Sequence, residues 1–163
     1  MALCRCTLVF LLLFSGLFSV EKEDNEIDIV VLPSTVVVNN DYFVTGRIVE
    51  ISGTVNGDLY VLGGQVFIDG TVNGDVLVAA GSVEVSGNVS NNIRMLAGQA
   101  LITGYVGRSL AGVVATIDLS PSATIGRNAV IVSGNADVKA HIARNLRLYS
   151  SSVRISDRIG GGV

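Results

Sequence analysis

The sequence predicts an all-β fold, a parallel β-helix (β-solenoid) of 17-residue coils preceded by an N-terminal hydrophobic segment. Three observations carry this expectation. Residues 53–69 read GTVNGDLYVLGGQVFID, and residues 70–86 repeat them as GTVNGDVLVAAGSVEVS. The unit is short, rich in Val and Gly and without helix-forming character, so it cannot bury its own apolar face and must stack on its neighbours. Hydrophobic residues make up 49% of the 163-residue chain, yet aromatics are only 6% and Trp is absent, which is the composition of a β-branched aliphatic core broken by glycine.

Residues 1–20 read as a signal peptide or an N-terminal membrane anchor. Arg5 supplies a positive start, and residues 6–20 carry no charge. That length suits a signal-peptide core better than a full span, which needs ~20 apolar residues. Ser19 is the candidate small residue before a cleavage site. Both readings place the remaining chain on the extracytoplasmic side, since Arg5 stays inside while Glu21, Glu23 and Asp24 follow. Cys4 and Cys6 are the only cysteines. The folded part therefore needs no disulfide and carries no thiol nucleophile or zinc cluster.

Residues 21–35 form an acidic linker, EKEDNE, and then IDIVVLP, where Pro33 stops a short strand. Its apolar stretch, Ile29 to Leu32, is expected to cover the open N-terminal end of the solenoid.

Residues 36–163 carry the β-helix as seven full coils plus a partial coil. Coils start at Val36, Gly53, Gly70, Gly87 and Gly104, and after a two-residue insertion of Pro121 and Ser122 at Ala123, Ala140 and Asp157. The third position is Val38, Val55, Val72, Val89, Val106, Ile125, Ile142 and Ile159, an aliphatic ladder inside the stack. Within a coil the pattern predicts three short strands near positions 2–3, 7–9 and 14–16, with positions 7, 9, 14 and 16 inward, as in Leu59, Val61, Val66 and Ile68. Turns are expected at Asn56-Gly57-Asp58 and at Gly63-Gly64, where Gly and Asn tolerate left-handed backbone angles.

Charge is segregated along the chain. Residues 36–86 hold six acids and one base, net −5, whereas residues 87–163 hold eight bases and three acids, net +5. A solenoid keeps sequence order in space, so one end is acidic and the other basic.

The Asn-Gly-Asp corner stacks Asp41, Asp58 and Asp75. Carboxylates at coil spacing repel by roughly 1 kcal/mol per pair in water, so the column is either a weak candidate cation site or a run of hydrated turn residues. Next to it Arg108, Arg127 and Arg144 form a second column, able to hold a phosphate, an anionic lipid or glycan, or the Asp58 and Asp75 column of another protomer, or serving solubility alone. His141, the single histidine, invites comparison with left-handed β-helix acyltransferases, but their 18-residue coils differ and no acid partner lies at a recognisable spacing. No catalytic residue and no cofactor is expected. A nucleic-acid partner is not expected either, because no aromatic residues interleave with the bases. Outward Phe43, Tyr60, Leu62, Phe67, Leu77, Leu96 and Leu101 are more apolar than a solvated face, which marks a partner or lipid surface unless another segment covers them.

The stretch GTVNGDLYVLGGQVFIDGTVNGDVLV resembles the repeat of bactofilins, bacterial polymer-forming cytoskeletal proteins. The resemblance implies a right-handed parallel β-helix that polymerises end to end without nucleotide, as a scaffold near the membrane. Bactofilins are typically cytosolic with a short membrane-binding tail, so a cytoplasmic, membrane-associated location stands as the alternative to export. The chain reaches only seven residues into its last coil, which leaves a rung that a neighbour could complete. Together these lead to the expectation of a non-enzymatic, self-associating scaffold whose partner is itself, with a membrane or cell-envelope component as a further partner. The alternative is a monomeric module binding an anionic envelope ligand.

Overall fold

The computed structural model of the chain describes residues 28–156. The hydrophobic segment at 1–20, most of the acidic linker and the partial coil from Asp157 lie outside the described residues, as do the export and cleavage expectations attached to them.

Each 17-residue unit contributes one two-residue strand and one ten-residue strand, and every pairing is parallel. The short strands are β2 (Val37–Val38), β4 (Thr54–Val55), β6 (Thr71–Val72), β8 (Asn88–Val89), β10 (Tyr105–Val106), β12 (Thr124–Ile125) and β14 (His141–Ile142). The long ones are β3 (Tyr42–Ile51), β5 (Leu59–Ile68), β7 (Val76–Val85), β9 (Ile93–Ile102), β11 (Leu110–Leu119), β13 (Ala129–Val138) and β15 (Leu146–Ile155). With β1 (Ile29–Leu32) they stack in sequence order into an eight-stranded and a seven-stranded sheet. The result is a β-solenoid of seven turns, with no helix among the described residues.

The 17-residue register explains the stack. Each rung pairs with the residue one coil away, as Leu59 with Val76 and Val76 with Ile93, so like side chains sit above like. Val55, Val72, Val89, Val106, Ile125 and Ile142 line one inner wall, and Ile51, Ile68, Val85, Ile102, Leu119 and Val138 another, all of them buried. Their removal from water, at ~25 cal/mol per Å2 of apolar surface, is the main stabilising term. No polar or charged residue is buried among them.

The expected break of each coil into three strands is corrected by the structure. Positions 7–16 form one continuous strand, in which only position 12 skips its partner: Gly46 pairs with Gly63 and Ile48 with Gln65, but Arg47 and Gly64 do not pair. The unpaired residue resets the alternation. Inward side chains fall at Leu59 and Val61 before it and at Val66 and Ile68 after it, so the strand lines two walls of the core without a turn. Coil 5 shows how tightly this is filled. There Gly112 leaves position 9 empty, and Val114 turns inward at position 11; a Cβ on Gly112 would sit 3.3 Å from Val114 Cγ2 and 2.8 Å from Met95 Cγ.

The expected left-handed angles are also corrected, since no described residue has a positive φ. Glycine serves close approach instead. A Cβ on Gly87 would lie against the carbonyl oxygen of Gly70, and one on Gly104 against that of Gly87. Ala123 takes this position only after the inserted Pro121 and Ser122, where Ala123 N–H donates to the Ser120 carbonyl at 2.9 Å and closes a turn with Pro at its second position. A related turn, Val36 N–H to the Pro33 carbonyl at 2.9 Å, precedes coil 1. Before it, β1 lies as the outermost strand of the long sheet, pairing Ile29 with Ile48 and Leu32 with Ile51. It therefore extends the stack by part of a rung at the outer edge of β3.

Candidate functional site

The Asn-Gly-Asp corner, at coil positions 4–6, is closed by two ladders of side-chain hydrogen bonds. Asn56 Nδ2 donates to Asn39 Oδ1 at 2.8 Å and Asn73 Nδ2 to Asn56 Oδ1 at 2.7 Å. Alongside, Asp41 Oδ1 accepts the backbone N–H of Asp58 at 2.9 Å, and Asp58 Oδ1 that of Asp75 at 2.8 Å. Asp75 Oδ1 accepts both the backbone N–H and the Nδ2 of Asn92, at 3.1 and 3.0 Å, and Asp75 Oδ2 accepts from Arg94 Nη1 at 3.0 Å. Burial pushes the Asp75 carboxyl up, but these hydrogen bonds and the Arg94 charge outweigh it and hold its pKa below the usual aspartate range. Asp41, Asp58 and Asp75 thus stack as the sequence predicts. Their oxygens cap main-chain amides that would otherwise lack a partner at the corner.

From coil 5 the corner is built differently. Glycine moves from position 5 (Gly57, Gly74) to position 4 (Gly107, Gly126), and arginine takes position 5. The amides of Arg108, Arg127 and Arg144 then donate to the carbonyls of Asn91, Arg108 and Arg127 at 3.0, 2.8 and 3.0 Å. A backbone ladder replaces the carboxylate ladder. The acid column at position 6 and the base column at position 5 thus belong to one corner, in neighbouring columns and different coils. All three arginine side chains are exposed, and none makes an ion pair among the described residues.

The long strands present an apolar face at positions 8 and 10, directly after this corner. Phe43, Leu62 and Leu96 are 70%, 61% and 60% exposed. An open groove of about 820 Å3 runs along the face across coils 1 to 6. The Phe43 and Tyr60 rings stack 4.4 Å apart, within 5° of parallel. Partial burial, together with the Asp58 and Asp41 carboxylates, raises the Tyr60 phenol pKa. Val113, Val130, Val132 and Tyr149 continue the face in later coils. Sequence reading stopped at Leu96, although columns 8 and 10 carried the signal onward. Phe67 and Leu101, at outward position 15 as the sequence predicts, lie beyond the bend, beside Glu50, Glu84 and Asp118.

His141 is exposed on β14, next to buried Ile142. Asp137 Oδ2 accepts from Lys139 Nζ at 2.7 Å, which raises the Lys139 pKa against the opposing effect of burial. Comparison with protein-family models, curated proteins and solved structures finds no significant match. The geometry itself, an apolar face flanked by a corner that changes sign halfway, carries the functional argument.

Proposed function

We propose that this chain is a non-enzymatic, self-assembling β-solenoid scaffold of the bactofilin type, working at the membrane or cell envelope. The observation that carries the reading is the stack itself: each rung pairs in parallel with the rung on either side at a fixed 17-residue register, as β7 does with β5 and β9, so the edge of a rung matches that of another copy. Such edges are templates for another strand. The acidic first half and basic second half make head-to-tail contact attractive. The likeness of the repeat to bactofilins supports the same reading, and the hydrophobic segment at 1–20 supports a location on the membrane or beyond it.

The test is negative-stain microscopy with sedimentation of the full-length chain in mild detergent, at low and high salt and without ligand. Filaments whose amount rises with protein concentration are the expected result. A monomer at every concentration overturns the proposal.

One observation favours a second reading. Arg108, Arg127 and Arg144 stack on successive rungs about 4.8 Å apart, and among the described residues none makes an ion pair, an arrangement suited to a polyanionic envelope ligand. A monomer that binds anionic vesicles, and loses binding when the three are replaced by Gln, would establish that reading in place of assembly.

A further inference from the structure

The apolar face and the two-signed corner have matching symmetry. Counted by coil, Asp41, Asp58 and Asp75 occupy coils 1 to 3, and Arg108, Arg127 and Arg144 coils 5 to 7. Coil 4, with uncharged Asn91 and Asn92 at its corner, is the midpoint. Rotation by half a turn about an axis along the strands of coil 4 exchanges the two halves. It brings coil 2 level with coil 6, coil 3 with coil 5 and coil 1 with coil 7, so Asp58, Asp75 and Asp41 at position 6 lie one residue along the corner from the second copy's Arg127, Arg108 and Arg144 at position 5.

We infer that the apolar face docks a second copy of this chain, antiparallel, about a two-fold axis through Leu96. This lateral contact rests on the self-associating reading above, but it uses the sheet face and not the strand edges. The same rotation matches the side chains of the face. Leu96 meets the second copy's Leu96, Leu62 meets its Val132, and the large Leu77 meets the small Ala111. Exposed Phe43 lies level with the second copy's Arg147. Arg94, near the axis, is paired with Asp75 at 3.0 Å, which leaves Asp41 and Asp58 as the acids of the column without an ion pair among the described residues. The Pro121 and Ser122 insertion lies at another corner and does not disturb the register, since Leu110 still pairs with Ala129 and Ala129 with Leu146.

A parallel pair would set Asp against Asp and Arg against Arg, so the charges choose the antiparallel one. Six rung spacings of ~4.8 Å by five residue spacings of ~3.3 Å make a face on the order of 500 Å2 in projection, within a factor of two of the ~800 Å2 per partner of a standard interface. Other occupants fit the corner less well. Residues 6–20 of the chain itself carry no charge to satisfy it, and an anionic lipid surface would be repelled by the Asp half.

Cross-linking tests the geometry. Opposed sheets pack ~10 Å apart, within reach of a short bismaleimide. The full-length chain with Cys4→Ser and Cys6→Ser carries one new cysteine at an exposed face position. Leu96→Cys is expected to cross-link to itself. Leu62→Cys and Val132→Cys should each fail alone and should give a dimer when the two are mixed. Self-linking of Leu62→Cys and of Val132→Cys would mean a parallel pair, and no linking at any position would mean no lateral pair; either overturns the inference. With Cys4 and Cys6 restored, an intramolecular link from Leu96→Cys would show the chain's own N-terminal segment on the face, which also overturns it. Replacing Asp58 and Asp75 by Asn keeps the amide caps and should weaken pairing at low salt by about tenfold, an effect that disappears at 1 M salt. Leu96→Glu separates the two proposals: single-width filaments are expected from it, whereas a parent that forms cross-linkable dimers but no filaments would leave the lateral contact and remove the axial one.

Discussion

Arg94 reaches back 19 residues to Asp75, with its Nη1 3.0 Å from Asp75 Oδ2, so one carboxylate ties a backbone amide of the next coil and a guanidinium of the same next coil together. This pairing sets the acid sensitivity of the corner. The Asp75 pKa is lowered in the folded chain, so its contribution is complete above the ordinary aspartate value of about 4 and is lost as pH falls through the lowered value. Urea midpoints measured from pH 7 to pH 2 should therefore fall on acidification. Asp75→Asn should flatten that fall, and at pH 7 it should cost less than about 1 kcal/mol because the ion pair is partly exposed.

Gly87→Ala should be among the most damaging single-methyl additions, about 2–3 kcal/mol, because its Cβ would meet the Gly70 carbonyl and not a side chain able to move. Gly98→Ala is the control. Its Cβ would lie 2.7 Å from the Gly81 carbonyl, but the neighbouring rung already carries Ala115 at this bend, so a loss below about 1 kcal/mol is expected from denaturant titration.

Gly112 and Val114 should behave as a coupled pair. Val114→Ala empties buried space and should cost about 1–2 kcal/mol, and Gly112→Val alone crowds Met95. The double variant restores the arrangement of the other coils. Its thermal midpoint should recover most of the loss, a non-additivity read directly from the four-variant cycle.

Ile93→Ala removes a wholly buried side chain in the middle coil and should cost about 3–4 kcal/mol, whereas Leu62→Ala on the exposed face should change the stability of the isolated chain by less than about 0.5 kcal/mol. Comparing the two by calorimetry separates core from surface for the same sheet.

Tyr60 should titrate above the ordinary phenol range in ultraviolet difference spectra, and Asp58→Asn should bring it partway back, since burial is the larger cause and remains.

Much of the architecture was legible because a solenoid writes its core as columns. Val55, Val72 and Val89 are one wall read at a fixed interval, and the insertion at Pro121 announced itself as the only break in that interval. What sequence could not give was the direction of hydrogen bonds between rungs. Asp58 looks the same in a list of residues whether it faces solvent, a cation or the amide of Asp75, and only the stacked backbone decides. Gly63-Gly64 likewise suggested a turn, while Val114-Ala115 at the same place in coil 5 bends equally well, which shows that the bend belongs to the unpaired rung position and not to glycine. The apolar face was half seen, because its later members are mostly Val and not Leu or aromatic, with Tyr149 standing apart in the last described coil.

The fixed interval between rungs also makes this protein a ruler. Removing or adding one 17-residue unit between Ile51 and Ile68 changes its height by one step of ~4.8 Å and leaves every ladder able to close on its new neighbour. Length is thus quantised, so a gene that duplicates one repeat sets a new spacing without inventing a new fold.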